Sequence, residues 1–151
     1  MTLLHATTIS VNNHALLILG ESSVGKSGLA LQLLDRGALL VSDDQTEISS
    51  DGEYLLASPP ESIAGLMEVR GVGIVPFPHK SKVPVAAAIT LVDQADEPRL
   101  PEPETIDVCG AAVPHLQLDA GSHILPEKVL LVMERVCGQN DLLNQKGTWG
   151  I

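Results

Sequence analysis

The sequence predicts an α/β fold with a mixed central β-sheet, and three observations predict it. Residues 15–37 read as strand, glycine-rich loop and helix in unbroken succession. Apolar runs at 38–42 and 85–92 have the length and composition of buried strands. Segments with strand character joined by Asn12-Asn13 and by Asp51-Gly52 read as antiparallel hairpins.

Composition bounds the rest. A chain of 151 residues is long enough for one domain with a real core. That domain is expected over 1–137, with a polar tail over 138–151 (GQNDLLNQKGTWGI). Aromatics make up only 2% against 44% hydrophobic residues, so the core must be aliphatic. A net charge of −10 argues against nucleic acid as a partner, because phosphate backbones need a basic surface. No apolar run approaches a membrane span, and no Lys or Arg precedes the short apolar stretch of the N-terminus as a secretory leader would require. Cys109 and Cys137 are far apart in apolar sequence, which predicts buried thiols and not metal ligands. A reducing cytoplasm is the expected location.

Leu4–Val11 is the first expected strand, rich in Thr, Ile and Val. After the Asn12-Asn13 turn, Ala15–Leu19 runs into G-x-x-x-x-G-K-S, occupied by Gly20, Glu21, Ser22, Ser23, Val24, Gly25, Lys26 and Ser27. The chemistry explains the spacing. The glycines let backbone wrap an anion without a Cβ in the way. Loop amides and the helix N-terminus point at phosphates. Lys26 reaches the outer phosphates, and Ser27 offers a hydroxyl to Mg²⁺. Leu29, Ala30, Leu33 and Leu34 then recur at helical spacing up to Gly37, the expected C-terminal stop.

Ala38–Ser42 is a strand ending in Asp43-Asp44, where open α/β sheets bind ligands. Gln45–Ser50 and Glu53–Ala57 form the Asp-Gly hairpin, broken off by Pro59-Pro60, and Glu61–Ala64 make one helical turn. Gly65–Val75 (GLMEVRGVGIV) reads as one strand with Glu68 and Arg70 on the same face, its glycines marking a bulge or a close backbone approach. Residues 76–84 are a loop whose His79, Lys80 and Lys82 form a basic patch suited to an acidic or phosphorylated partner. Val85–Val92 is buried strand, 93–106 acidic surface loop, and Ile106–Val113 and His115–Leu118 two strands separated by Pro114. Pro126 opens a final helix with Val129, Leu130, Met133, Val136 and Cys137 on its apolar face.

Several functions fit a phosphate loop. A GTPase switch needs N-K-x-D to read guanine, and the nearest string, Asn144-Gln145-Lys146-Gly147, lacks it. Small-molecule kinases usually add an arginine-rich lid, and the four arginines here do not cluster. A nucleotide-sensing binding module is compatible with the size. A phosphotransferase needs a base, charge neutralisation and a metal. Asp43 or Asp44 could be the base, Lys26 and Arg70 could share charge, and Ser27 with Glu68 or an aspartate could hold Mg²⁺.

Taken together, these residues resemble the catalytic domain of bacterial HPr kinase/phosphorylase. The resemblance rests on His5 on the strand hairpin before the phosphate loop, the loop GESSVGKS, Val41-Ser42-Asp43-Asp44 at a strand end, and Glu68-Val69-Arg70-Gly71-Val72-Gly73-Ile74. It is clear from His5 to Val75. It implies a P-loop kinase-like fold of the phosphoenolpyruvate carboxykinase type. It implies ATP and Mg²⁺ as cofactors and an HPr-like phosphocarrier protein as seryl acceptor, with phosphorolysis to pyrophosphate in reverse. It also implies a homo-hexamer. By the same resemblance Asp43 is the base with His5 beside it; from the residues themselves Arg70 is expected to stabilise charge, and Ser27 with Glu68 or Asp44 to serve the metal. After Val75 the chain departs from the family: PFPHKS replaces an apolar-aromatic-glycine stretch, and Gly121-Ser122-His123 stands near a G-R-N segment without its arginine. A compact form without the N-terminal domain is expected.

Overall fold

The computed structural model describes residues 1–138. Its strands are β1 (Thr2–Leu4), β2 (Thr7–Val11), β3 (His14–Leu19), β4 (Leu39–Ser42), β5 (Thr46–Ser50), β6 (Leu55–Ser58), β7 (Leu66–Val69), β8 (Gly73–Pro76), β9 (Val83–Val92), β10 (Glu104–Val108) and β11 (Ala111–Asp119). Two helices, α1 (Lys26–Asp35) and α2 (Leu125–Gly138), and a 3-10 turn over Glu61–Ile63 complete the described residues. Trp149 and the rest of the polar tail beyond Gly138 lie outside them.

The main sheet is mixed, as expected, with β3, β9 and β11 parallel at its centre and antiparallel strands around them. It runs β1-β5-β6-β9-β3-β2-β4, and it forks at β9. The start of β9 pairs with β6 through Val83 and Pro84, and its later half pairs with β11 from Ala88 to Val92. β7 and β8 form a separate hairpin.

Strand alternation sorts β3 into two cores. Leu16 and Ile18 join Leu29 and Leu33 of α1, Met67 of β7, and Val129 and Met133 of α2. Ala15 and Leu17 face the other way, toward Val41, Ile48, Ala57, Ala88, Val108 and Val113. Val41 on β4 and Ile48 on β5 are far apart in strand order, so the sheet must curl to bring them into one cluster. The Thr8–Thr46 hydroxyl contact at 2.8 Å closes the same curl.

α1 stops where Gly37 was expected to stop it. Gly37 has φ +101, and the amides of Gly37 and Ala38 return to the carbonyls of Leu34 and Leu33. This paired return satisfies the helix end, and glycine adopts that backbone without a Cβ penalty.

Four expectations are corrected. Leu4–Val11 is two strands, because β1 pairs with β5 while β2 pairs with β3 and β4, and the chain crosses between them at His5-Ala6. Gly65–Val75 is a hairpin and not one strand. The Val72 amide bonds the Val69 carbonyl, and Gly71 and Gly73 take positive φ, so these glycines make a turn instead of a bulge. Arg70 therefore sits in a turn, outside the alternation that would pair it with Glu68.

The third correction is the break before His115. It falls at Cys109-Gly110, both at positive φ, as a two-residue hairpin requires. Pro114 is inside β11, opposite Thr105, before pairing to β9 begins at His115. Counting from the Val108–Ala111 closing pair, that position makes no cross-strand hydrogen bond to β10, so the missing N–H costs nothing there. Fourth, the cysteines are not both buried. Cys109 is exposed at the turn, and Cys137 is half-buried, with burial pushing its thiol up.

The acidic loop is tied down at Glu97. Its carboxylate accepts from Lys128 Nζ at 2.7 Å and from the Asp119 amide at 3.0 Å. Burial, the largest single influence, pushes this carboxyl up. The Lys128 and Asp119 hydrogen bonds and the Lys128 charge together outweigh it and hold the pKa below the ordinary 4.5. A depressed folded pKa gives stability that is present above the unfolded pKa and lost as pH falls through the folded one. Glu97→Gln is thus expected to cost up to about 1 kcal/mol at pH 7. Urea titrations should show that difference shrinking below about pH 4, near the unfolded value.

Candidate functional site

The loop between β3 and α1 is shaped by positions that admit little but glycine. At Gly20, φ is +145, and a Cβ would stand 2.8 Å from the Leu91 carbonyl oxygen and 2.9 Å from Val24. The loop start is thereby pressed against the end of β9. Ser23 and Gly25 also take positive φ, at +68 and +118. Gly25 precedes α1 and offers no side-chain cap, so the first amides of the helix keep their donors for an anion. Lys26 is only 6% exposed. Its Nζ donates to the Gly20 and Glu21 carbonyls at 2.8 and 2.9 Å.

In front of this loop opens a cleft of about 770 Å³. One wall is Ser22, Ser23, Gly25, Lys26 and Ser27. The β7–β8 hairpin supplies the other, with Glu68, Arg70 and Val72 on it, and Asp44 completes the rim. Met67 anchors the hairpin by packing, fully buried, in the core shared with Leu29 and Leu33 of α1. The structure thus brings Glu68 and Arg70 to the phosphate loop although the strand reading that linked them was incorrect. Gly20, Glu21, Val24, His5 and Asp43 do not line the cleft.

The two aspartates diverge. Asp43 is nearly buried, and its Oδ1 accepts from Ser27 Oγ at 2.7 Å and from Thr7 Oγ1 at 3.2 Å. Asp44 is 65% exposed and has His5 Nε2 3.5 Å from its Oδ1. The histidine expected beside Asp43 therefore lies beside Asp44, and the carboxylate next to the Ser27 hydroxyl is Asp43. Backbone geometry separates them. Asp44 has φ +68, and the Gln45 amide bonds back to the Asp43 carbonyl at 2.7 Å, which makes a tight three-residue turn. A turn of this kind with positive φ at its centre is rare and strained.

Thr7 was missed by sequence reasoning. It is fully buried, and its hydroxyl also accepts the Asp44 amide at 3.1 Å. A threonine in a strand looks like an ordinary strand former, so nothing in its sequence context marks it.

The basic patch lies elsewhere. Lys80 bonds the Asn13 side chain, and its amide donates to the Leu40 carbonyl. The Leu40 carbonyl belongs to β4, and Asn13 stands just before β3, whereas the phosphate loop follows the end of β3. Six residues of strand, about 17–20 Å at ~3.3 Å per residue, separate the two.

Among the described residues no three His, Cys, Asp or Glu side chains converge as a ready-made metal cage, and the oxygen donors that do meet here are the Ser27 hydroxyl and the Asp43 carboxylate, 2.7 Å apart. That donor set suits a hard cation such as Mg²⁺.

The chain is similar to known proteins in sequence and in fold. The profile of the HPr Serine kinase C-terminal domain matches residues 1–92. The chain is 32% identical to an HPr kinase/phosphorylase of Chloroherpeton thalassium over 95% of its length and 44% of that protein's. It is 32% identical to one of Bacillus licheniformis over 97% of its length and 50% of that protein's. It therefore spans about half the length of these curated relatives. The solved structure of the HPr(Ser) kinase/phosphatase from Coxiella burnetii superposes with a TM-score of 0.80 at 26% identity, covering 97% of this chain and 94% of that one. Phosphate loop, paired aspartates and glycine-flanked hairpin all fall within the matched segment, and the chain belongs to the HPr Serine kinase C-terminal domain family.

Proposed function

We propose that the chain is an ATP- and Mg²⁺-dependent protein serine kinase whose acceptor is a seryl hydroxyl of an HPr-like phosphocarrier protein, and that it runs phosphorolysis to pyrophosphate in reverse. The observation that carries this reading is a phosphate loop facing two adjacent carboxylates with different partners, Ser27 for one and His5 for the other. The names and folds of the relatives support it.

In this reading the loop amides, the α1 N-terminus and Lys26 hold the phosphate chain. Lys26 exchanges its carbonyl partners for phosphate oxygens when the chain enters. Ser27, Asp43 and Glu68 would hold Mg²⁺, which supplies neutralising charge to the transferring phosphoryl group. Asp44, on the rim, accepts the seryl proton, with His5 beside it to share that proton. The seryl oxygen then forms its bond to the γ-phosphorus as the bond to the bridging oxygen breaks, and ADP leaves with the electron pair. Arg70 stabilises charge on the equatorial oxygens. In reverse, the protonated carboxyl returns its proton to the seryl oxygen as inorganic phosphate attacks.

The rest of the proposal is a single catalytic domain over 1–137, working in the cytoplasm without nucleic acid, in the hexamer implied by the resemblance. The acidic balance supports the exclusion of nucleic acid. Among the described residues no helix is long and apolar enough to cross a membrane.

The test is phosphate transfer from ATP-Mg²⁺ to purified HPr, read as the mass gain of the acceptor, followed by addition of inorganic phosphate. Transfer, and then pyrophosphate release, is the expected result. Nucleotide binding with no transfer would replace the kinase by a nucleotide-sensing module. Native mass spectrometry of the same sample reads the assembly.

A further inference from the structure

We propose that Thr7 is a positioning residue that holds the Asp43–Asp44 turn in the geometry separating the two carboxylates. The proposal deepens the kinase reading and rests on it for its functional consequence. One hydroxyl does two things. It donates to Asp43 Oδ1 at 3.2 Å and accepts the Asp44 amide at 3.1 Å. It is therefore attached to both neighbours at once, across the seam between β2 and the end of β4.

The turn needs such an attachment. Asp44 sits at φ +68 with the Gln45 amide closed back on the Asp43 carbonyl. Strained backbone persists only where the surroundings over-determine it. The surroundings here are hydroxyls. Ser42 bonds the Gln45 carbonyl, Thr8 and Thr46 bond each other, and Thr46 donates to the Ala6 carbonyl beside Thr7. Within this group, Thr7 touches both halves of the aspartate pair, and it is fully buried, so water cannot take its place.

The geometry gives the hydroxyl its effect. With the turn held, Asp43 faces Ser27, and Asp44 stands on the cleft rim with His5 beside it. Without it, the Asp44 peptide is free to relax toward negative φ, which rotates the Asp44 side chain relative to Asp43. Ser27 then loses the fixed carboxylate opposite it, and the rim loses a fixed one. Thr7 itself does not line the cleft. Its action is through the aspartates.

Thr7→Val keeps the shape and removes the hydroxyl, and Thr7→Ser keeps the hydroxyl. Amide hydrogen exchange of the full chain by NMR reads the turn directly. The Asp44 amide is expected to exchange at least ~10-fold faster in Thr7→Val and to stay near the wild-type rate in Thr7→Ser, as a lost amide hydrogen bond of ordinary strength dictates. The Mg²⁺ midpoint for binding ADP should rise about tenfold in Thr7→Val and recover in Thr7→Ser, in line with the loss of a partner outside the first ligand shell. A lower melting temperature alone would accompany any buried substitution and moves neither reading.

An unchanged Asp44 amide in folded Thr7→Val overturns the proposal. So does a faster amide with an unchanged Mg²⁺ midpoint. Should Thr7→Val not fold, the wild type decides: an Asp44 amide exchanging at the free-peptide rate also overturns it. The amide arm needs no nucleotide, so a chain that binds none would sink the kinase reading and still leave Thr7's hold on the turn measurable.

Discussion

Asp44→Asn is expected to lower phosphoryl transfer by ~10²–10⁴-fold, the range for removing a positioned general base. Asparagine keeps the volume and cannot take the seryl proton. The affinity for nucleotide should change little, because Asp44 lies on the rim of the cleft and not against Ser27. Asp43→Asn should behave differently. It weakens the acceptor opposite the Ser27 hydroxyl, so the Mg²⁺ requirement and the nucleotide affinity should suffer along with the rate. Single-turnover transfer at saturating Mg²⁺-ATP, with nucleotide binding measured alongside, separates the two. Loss of rate confined to Asp43→Asn would return the base to Asp43, the residue that family resemblance favours.

The second large effect is on stability. Leu16→Ala is expected to destabilise the fold by about 2–5 kcal/mol, the range for deleting a buried leucine. Leu16 is fully buried in the middle of β3, between α1 and the sheet, with rigid strands on either side. Such a site collapses poorly around a cavity. A loss of about 3 kcal/mol should lower the melting midpoint by roughly 6–12 °C in a domain of this size. Leu131, exposed on α2, is the control, and its alanine variant should stay within about 0.5 kcal/mol. Urea unfolding of both at pH 7 is the measurement. Equal losses would mean that β3 is not the centre of the core.

Much of this was legible in the chain. The phosphate loop declares itself because glycines are needed where the backbone turns, and Gly20 stands where any Cβ would strike Leu91. Asn12-Asn13 and Asp51-Gly52 marked real hairpins, since residues tolerant of positive φ have few other uses in strands. The errors share a cause. Leu4–Val11 has uniform strand character, and only its partners, β5 on one side and β3 and β4 on the other, divide it. Pro114 drew attention as a breaker although its register excuses the missing donor, while Cys109-Gly110 made the turn unnoticed. The pairing of His5 with Asp44 and not Asp43 depends on one backbone angle that composition does not encode. Thr7 is the same case, a role conferred by a neighbour 36 residues away.

The parallel pairing of β3 with β9 also sets an order of events during synthesis. Leu17 lies beside Ala88, and the phosphate loop is braced at Gly20 by Leu91. When the ribosome has made the whole G-x-x-x-x-G-K-S loop and α1, the strand that supports them has not yet been translated. The nascent chain must carry an apolar β3 without its central neighbour through roughly seventy further residues, at ~5–20 residues per second. Pairings so distant along the chain are also the slow ones to form. The loop thus leaves the ribosome well before the strand that gives it its working shape.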